Sequence, residues 1–162
     1  MLKNANWIIK QAEEAKMIDP FIDHSVIIND IMSYGLEGQG YTFRISSLWQ
    51  PINKRKRESV ILDPKQIDND LFVDFRMPHF DLFPGSCIRV HSIEKFKIPE
   101  GIVAIGYGKE AYQRYGVIPN IFPLGPGYEG ILSFSVSNTQ KVPVRLYAEE
   151  GIARLFFYDL SV

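Results

Sequence analysis

The chain opens on one periodicity and then changes to another. From residue 4 to residue 17, Trp7, Ile8, Gln11 and Ala15 recur at helical spacing, with Lys10, Glu13 and Glu14 largely off that stripe. This pattern predicts an amphipathic helix. Asn4 or Asn6 can supply the N-cap oxygen, and Asp19-Pro20 is the expected terminator, because the residue before proline avoids the α region. From about residue 41, short runs of Ile, Val, Phe and Tyr alternate with polar residues. They predict strands over Tyr41–Ile45, Ser59–Leu62, Leu71–Phe75, His79–Leu82, Ser86–Ser92, Ile102–Gly106, Gly116–Phe122, Gly130–Val136, Pro143–Ala148 and Ile152–Phe157. Asp63-Pro64, Phe83-Pro84-Gly85, Pro99-Glu100-Gly101, Gly125-Pro126-Gly127 and Glu150-Gly151 punctuate them. Many short strands at near-regular spacing argue for an all-β fold, a barrel or jelly-roll sandwich with one N-terminal helix.

Length and composition narrow this picture without changing it. At 162 residues the chain fits a single domain over 1–162 with room for a sizeable core. Its apolar runs are too short to cross a bilayer as helices, and charges scattered through the first 16 residues break any signal-peptide pattern. With one cysteine, Cys87, no internal disulfide is available, and the expected location is cytoplasmic. A net charge of −1 provides no global field for nucleic acid, so none is expected as a partner. The basic run Lys54-Arg55-Lys56-Arg57 reads first as a solvated loop tip and second as a phosphate contact. Consecutive Phe156-Phe157 point to opposite sheet faces. Cover on both faces hints at oligomerisation.

Familiar catalytic constellations are missing. His24, His79 and His91 are scattered singly, so no metal site is expected. Cys87 sits in an apolar strand pattern, where a buried, inert thiol is the default. The stretch Gly108–Asn138 stands apart. Lys109, Glu110 and Arg114 fall within six residues, with Tyr112 and Tyr115 between and after them. One reading is a local Glu110–Arg114 pair at i,i+4, contributing about 0.3–0.5 kcal/mol. The other is two cations placed to meet an anion such as phosphate.

At this point the residues carry a resemblance. Gly108-Lys109-Glu110-Ala111-Tyr112-Gln113-Arg114-Tyr115-Gly116-Val117 resembles the GKSTYAR motif of the dCTP deaminase family, within the trimeric dUTPase superfamily. Trp7-Ile8, Ser33-Tyr34-Gly35-Leu36, Gly40-Tyr41, Asp63-Pro64-Lys65, Phe72-Val73-Asp74, Glu94, Pro126-Gly127-Tyr128-Glu129-Gly130 and Ser137-Asn138-Thr139 are similar to other family segments, in order and at matching spacing over nearly the whole chain. The resemblance implies a distorted β-barrel of the dUTPase-like type and a homotrimer with sites at subunit interfaces. It also implies a pyrimidine deoxynucleotide ligand and the reaction of dCTP with water to give dUTP and ammonia. Mg²⁺ would enter only with a nucleotide triphosphate, and no other cofactor is expected. By position, nucleotide binding falls to Lys109, Arg114, Asn120 and Tyr128.

The departures cluster where the chemistry should be. The family positions for catalysis are Glu110, Ala111, Arg114 and Ser135, and only Arg114 keeps the family residue. Glu110 and Ala111 replace hydroxyls, and Ser135 replaces the carboxylate that activates water. Gly125 replaces a corner acid, Thr42 an aspartate and Arg154 a glutamine. With the sequence ending at Val162, no room is expected for the tail that the resemblance implies. A serine hydroxyl is a poor general base. The expectation is therefore a catalytically degenerate, nucleotide-binding or regulatory homologue. The alternatives are an active deaminase or dUTPase that uses other residues, with Glu110 supplying the lost carboxylate, and a trimeric structural protein without a nucleotide ligand.

Overall fold

A computed structural model describes residues 1–53, 61–66 and 68–160. The basic run Lys54–Arg57 and the first half of the strand expected over Ser59–Leu62 lie outside the described residues. Ile61 and Leu62 are exposed and carry no strand.

Helix α1 spans Ala5–Ala15, and the Asn4 side chain accepts the Trp7 N–H at 3.0 Å. Its buried stripe is Ile8 and Ala12. The helix ends earlier than Asp19-Pro20 suggested. Lys16 turns into the left-handed conformation (φ 54) and its N–H closes on the Gln11 carbonyl, so a Schellman-like cap stops it before the proline acts.

The strands are β1 (Ile18–Asp19), β2 (Ser25–Val26), β3 (Tyr34–Glu37), β4 (Gly40–Arg44), β5 (Leu48–Pro51), β6 (Phe75–Arg76), β7 (His79–Leu82), β8 (Cys87–Lys97), β9 (Ile102–Gly108), β10 (Val117–Asn120), β11 (Glu129–Asn138), β12 (Val144–Tyr147) and β13 (Gly151–Asp159). One sheet runs β10-β11-β8-β5-β6, with β1 also paired to β8. A second runs β2-β3-β4-β13-β9, and β12 pairs β7. The pairings are antiparallel. The expected strand over Leu71–Phe75 is reduced to Phe75–Arg76 and a single Ile52–Phe72 bridge. This antiparallel all-β arrangement with an N-terminal helix is the architecture anticipated from the strand texture, and the dUTPase-like distorted barrel is the form of it that the resemblance implies.

Period-2 alternation decides what reaches the core. In β8, Ile88, Val90, Ser92, Glu94 and Phe96 face inward, and Cys87, Arg89 and Lys95 face out. Cys87 is therefore exposed, not buried as its apolar neighbours suggested, because it occupies the outward phase of the strand. Trp49, Phe43, Phe96 and Phe157 fill the interior, with Phe43 edge-on to both Phe96 and Phe134. The same alternation drives one carboxylate inside. Glu94 is fully buried and takes the Arg44 backbone N–H and Arg44 Nε at 2.9 Å each. Burial pushes the Glu94 carboxyl above its ordinary range, opposed by those Arg44 contacts.

Candidate functional site

A cleft of about 1340 Å³ opens around the short helix α2 (Glu110–Gln113), between the ends of β3, β4, β9 and β13 and the segment entering β12. The helix is pinned by Tyr112, whose buried hydroxyl accepts the Tyr147 backbone N–H at 3.2 Å. Burial pushes that phenol up to about 12. Gly116 then turns the chain into β10 with φ 69, and a Cβ there would sit 2.6 Å from Thr139 Oγ1. The corner thus requires glycine twice over, for conformation and for space.

Lys109, Glu110, Ala111 and Arg114 all line this cleft, but their charges point to different environments. Lys109 is the N-cap residue, and its Nζ reaches inward to Ser33 Oγ at 2.6 Å. Burial pushes its ammonium below the ordinary lysine value, with Glu110 offsetting only in part. Ser33 is held in turn by its neighbours: Met32 N–H donates to Glu150 Oε2 at 2.8 Å and Gly151 N–H to the Met32 carbonyl at 3.0 Å. Arg114 and Glu110 pair at 3.0 Å on the rim, both well exposed. The i,i+4 pair is therefore present and solvated, and Glu110 is not a buried carboxylate.

The inner wall holds a network of different character. Glu37 accepts the Ser25 hydroxyl at 3.1 Å, the Thr42 hydroxyl at 3.2 Å and an Arg154 Nη2–H. Arg154 Nε also contacts Thr42 Oγ1 at 3.3 Å. Gly40 makes this possible, because a Cβ there would meet the Arg154 stem at 2.9 Å.

Three of the sequence-indicated residues lie elsewhere. Asn120 and Ser135 face each other across β10 and β11, and Ser135 also pairs Arg89 of β8. Tyr128 donates to the Ile131 carbonyl at 2.8 Å and packs edge-on to Phe122. None of the three lines the cleft within one chain. Ser135 belongs to a stripe, Ser133, Ser135 and Ser137, on the half-exposed face of β11. Beside it His91 Nδ1 meets Ser133 Oγ at 2.6 Å, and His91 Nε2 meets Gln50 Oε1 at 2.7 Å. Gln50 Nε2 donates onward to Asp74 Oδ1 at 2.8 Å. That polarity places the imidazole proton on Nε2 and leaves Nδ1 to accept from Ser133.

The sequence that builds this barrel and its cleft matches a known family. A family model described as dCTP deaminase-like matches residues 2–160. The chain belongs to the dCTP deaminase-like family. It is 38% identical to a dCTP deaminase of Chloroflexus aurantiacus over 158 residues, 98% of this chain and 83% of that protein. It is 39% identical to a dCTP deaminase of Dichelobacter nodosus over 159 residues, 96% of this chain and 84% of that protein. In structure it is similar to the 2′-deoxycytidine 5′-triphosphate deaminase of Agrobacterium tumefaciens, with a TM-score of 0.70 at 14% identity over 96% of this chain and 46% of that one. At that identity the match speaks for the fold alone.

Within this family framework the sequence reading missed the Glu37 network and the His91–Ser133 contact. A signal for the first existed: Thr42 and Arg154 both depart from the pattern that the resemblance implies, and they are register partners across β4 and β13. Glu37 lies directly opposite Gly40 across the same hairpin. No sequence signal marked His91, because its partners Ser133 and Gln50, and Asp74 beyond Gln50, come from three separate segments. Among the described residues no helix is long and apolar enough to cross a membrane.

Proposed function

We propose that this chain is a dCTP deaminase-like protein that keeps a pyrimidine deoxynucleotide cleft but not the family's carboxylate-based deamination. It acts as a binding or regulatory homologue. The observation that carries this reading is the stripe of Ser133, Ser135 and Ser137 where the family's water-activating carboxylate is expected. The carboxylate best placed in sequence to replace it, Glu110, sits exposed on the rim in a pair with Arg114. Losing a general base costs about 10²–10⁴ in rate. In this reading 1–162 is one domain, located in the cytoplasm, and three copies assemble. Assembly would bring Asn120, Tyr128 and Ser135 of one copy toward Lys109 and Arg114 of the next. It would also cover the exposed Tyr107 and the half-buried Phe156, which pack edge-on at the cleft mouth.

The test is a nucleotide panel on the purified protein. Thermal shifts with dCTP, dUTP and their monophosphates are expected, without ammonia release at family-like rates. The double change Ser135→Glu with Glu110→Ser is expected to raise deamination of dCTP. Turnover of dCTP by the unaltered chain at family-like rates overturns the reading of lost catalysis. Absence of any nucleotide shift overturns the reading of a nucleotide cleft.

A further inference from the structure

Arg154 is the feature of the cleft that neither the corner nor α2 explains. Its stem lies over Gly40, and its guanidinium is fixed by two neighbours, Glu37 and Thr42. Two of its nitrogens are thereby committed, while Nη1 has no hydrogen-bond partner among the described residues and the side chain lines the cleft. Lys109 lines the same cavity with its ammonium half-buried on Ser33 and with no carboxylate in ion-pair reach among the described residues. Two cations are thus held by neighbouring polar groups inside one concave wall, while Arg114 and Arg145 lie further out in exposed pairs with Glu110 and Asp81. A fixed guanidinium fork is suited to phosphate oxygens, and less entropy is lost per bond when the fork is already oriented.

The same network bears on Mg²⁺. A divalent ion at a nucleotide site takes one or two carboxylates together with phosphate oxygens. The inner carboxylate here is Glu37, which already accepts from Ser25, Thr42 and Arg154. A dication approaching it would meet the Arg154 guanidinium at contact distance, and like charges in a partly desolvated wall repel strongly. Glu110 of α2, the other carboxylate lining the cleft, is paired with Arg114 at the rim. The donor set does not fit a protein-held Mg²⁺.

We propose that Arg154, oriented by Glu37 and Thr42 and seconded by Lys109, is a resident cation that binds the polyphosphate of the ligand, so that polyphosphate binds this cleft without Mg²⁺. This deepens the nucleotide-cleft reading and rests on it for the identity of the ligand, but not for the anion chemistry.

The experiment is titration calorimetry of the full chain with inorganic tripolyphosphate, dCTP and dUTP, each in EDTA and in Mg²⁺. The variants are Arg154→Gln, Arg154→Lys and, as an exposed control, Lys95→Gln, with folding followed by circular dichroism. Tripolyphosphate is expected to bind in EDTA at least as well as in Mg²⁺. Losing a charge-assisted pair is expected to weaken it about tenfold or more in Arg154→Gln. Arg154→Lys, which keeps charge but loses the fork, should fall between, and Lys95→Gln should match the parent. Arg154→Lys also decides the matter if Arg154→Gln fails to fold. Binding that requires Mg²⁺, equal binding in the Arg154 variants and the parent, or no anion binding by the parent overturns the proposal. Tripolyphosphate binding without any preference for dCTP or dUTP leaves the anion site standing and sinks the nucleotide reading. Nucleotide binding only with Mg²⁺ does the reverse.

Discussion

Two carboxylate–arginine pairs, one at the end of β4 and one joining the strands that flank it, do opposite things. Glu94 and Arg44 meet inside the barrel, where Glu94 has no solvent contact and Arg44 delivers both its backbone N–H and its Nε. Glu37 and Arg154 meet in the wall of the cleft, with side chains 13% and 38% exposed. The chemistry is the same, but the phase of the strand differs. Glu94 is on the inward phase of β8, so its charge must be matched or the barrel is destabilised. Glu37 sits at the hairpin end of β3, where Ser25 and Thr42 share it, and its pairing orders a side chain that still faces solvent. A buried pair is a condition of the fold, whereas a half-open pair is available to a ligand.

The largest effect should therefore come from breaking the inner pair. Arg44→Leu leaves a buried carboxylate with no cation, and one-sided removal of a buried partner costs about 3–5 kcal/mol. Denaturant midpoints at neutral pH measure it, and a loss below about 1 kcal/mol would show that Arg44 is not what sustains Glu94. The sign with pH is fixed by the carboxyl's upward shift. Where the folded protein binds a proton that the unfolded chain does not, stability falls as pH rises. That window runs upward from the ordinary value of 4.5. Without Arg44 the shift grows, so the gap between variant and parent should narrow on acidification.

Breaking the outer pair should cost less and respond to salt. Glu37→Gln keeps the shape and the hydroxyl contacts but removes the charge that orients Arg154. A stability loss of about 1 kcal/mol or less is expected, shrinking as ionic strength rises, because partly exposed charges are screened over about 8–10 Å. The Arg44 variant should be nearly indifferent to salt. Equal salt dependence in the two variants would erase the distinction between them.

The contrast also explains what was legible in the sequence. Strands with clear alternation, such as β7, β8, β11 and β13, were readable because period 2 against a single core leaves a plain trace. Strands β1, β2, β3 and β5 were not. They are only two to four residues long, β1, β3 and β5 carry glycine, proline or charge, and tertiary pairing rather than propensity makes them strands. The α2 residues of the site were readable because they are contiguous. The Glu37–Arg154 pair was not read, since its partners are 117 positions apart and its one trace, the substitutions at Thr42 and Arg154, becomes a pair only once β4 and β13 are in register. Ser135 was legible only by resemblance, and one chain does not bring it into the cleft that Lys109 lines.

The smallest effect tests whether the serine face belongs to the structural or the open kind of polar network. His91 is half-buried between Ser133 and Gln50, and burial first, then the charge of Arg89, hold its imidazole below the ordinary value of 6.5, with Asp74 pulling the other way. The unfolded chain then binds a proton that the folded protein does not, so stability is present above 6.5 and is lost as pH falls through the window just below it. Protonation would also place a proton on Nδ1, where Ser133 Oγ–H now donates, and would force that hydroxyl to turn. His91→Gln should flatten this part of the stability–pH curve while leaving the limb set by Glu94 in place. The measurement is the thermal midpoint of parent and variant across pH 5 to 7, a range chosen to bracket the imidazole's titration. If His91→Gln leaves the curve unchanged, the imidazole titrates freely. The β8–β11 face is then an open polar surface like the cleft wall, not a second fixed network like the one around Glu94.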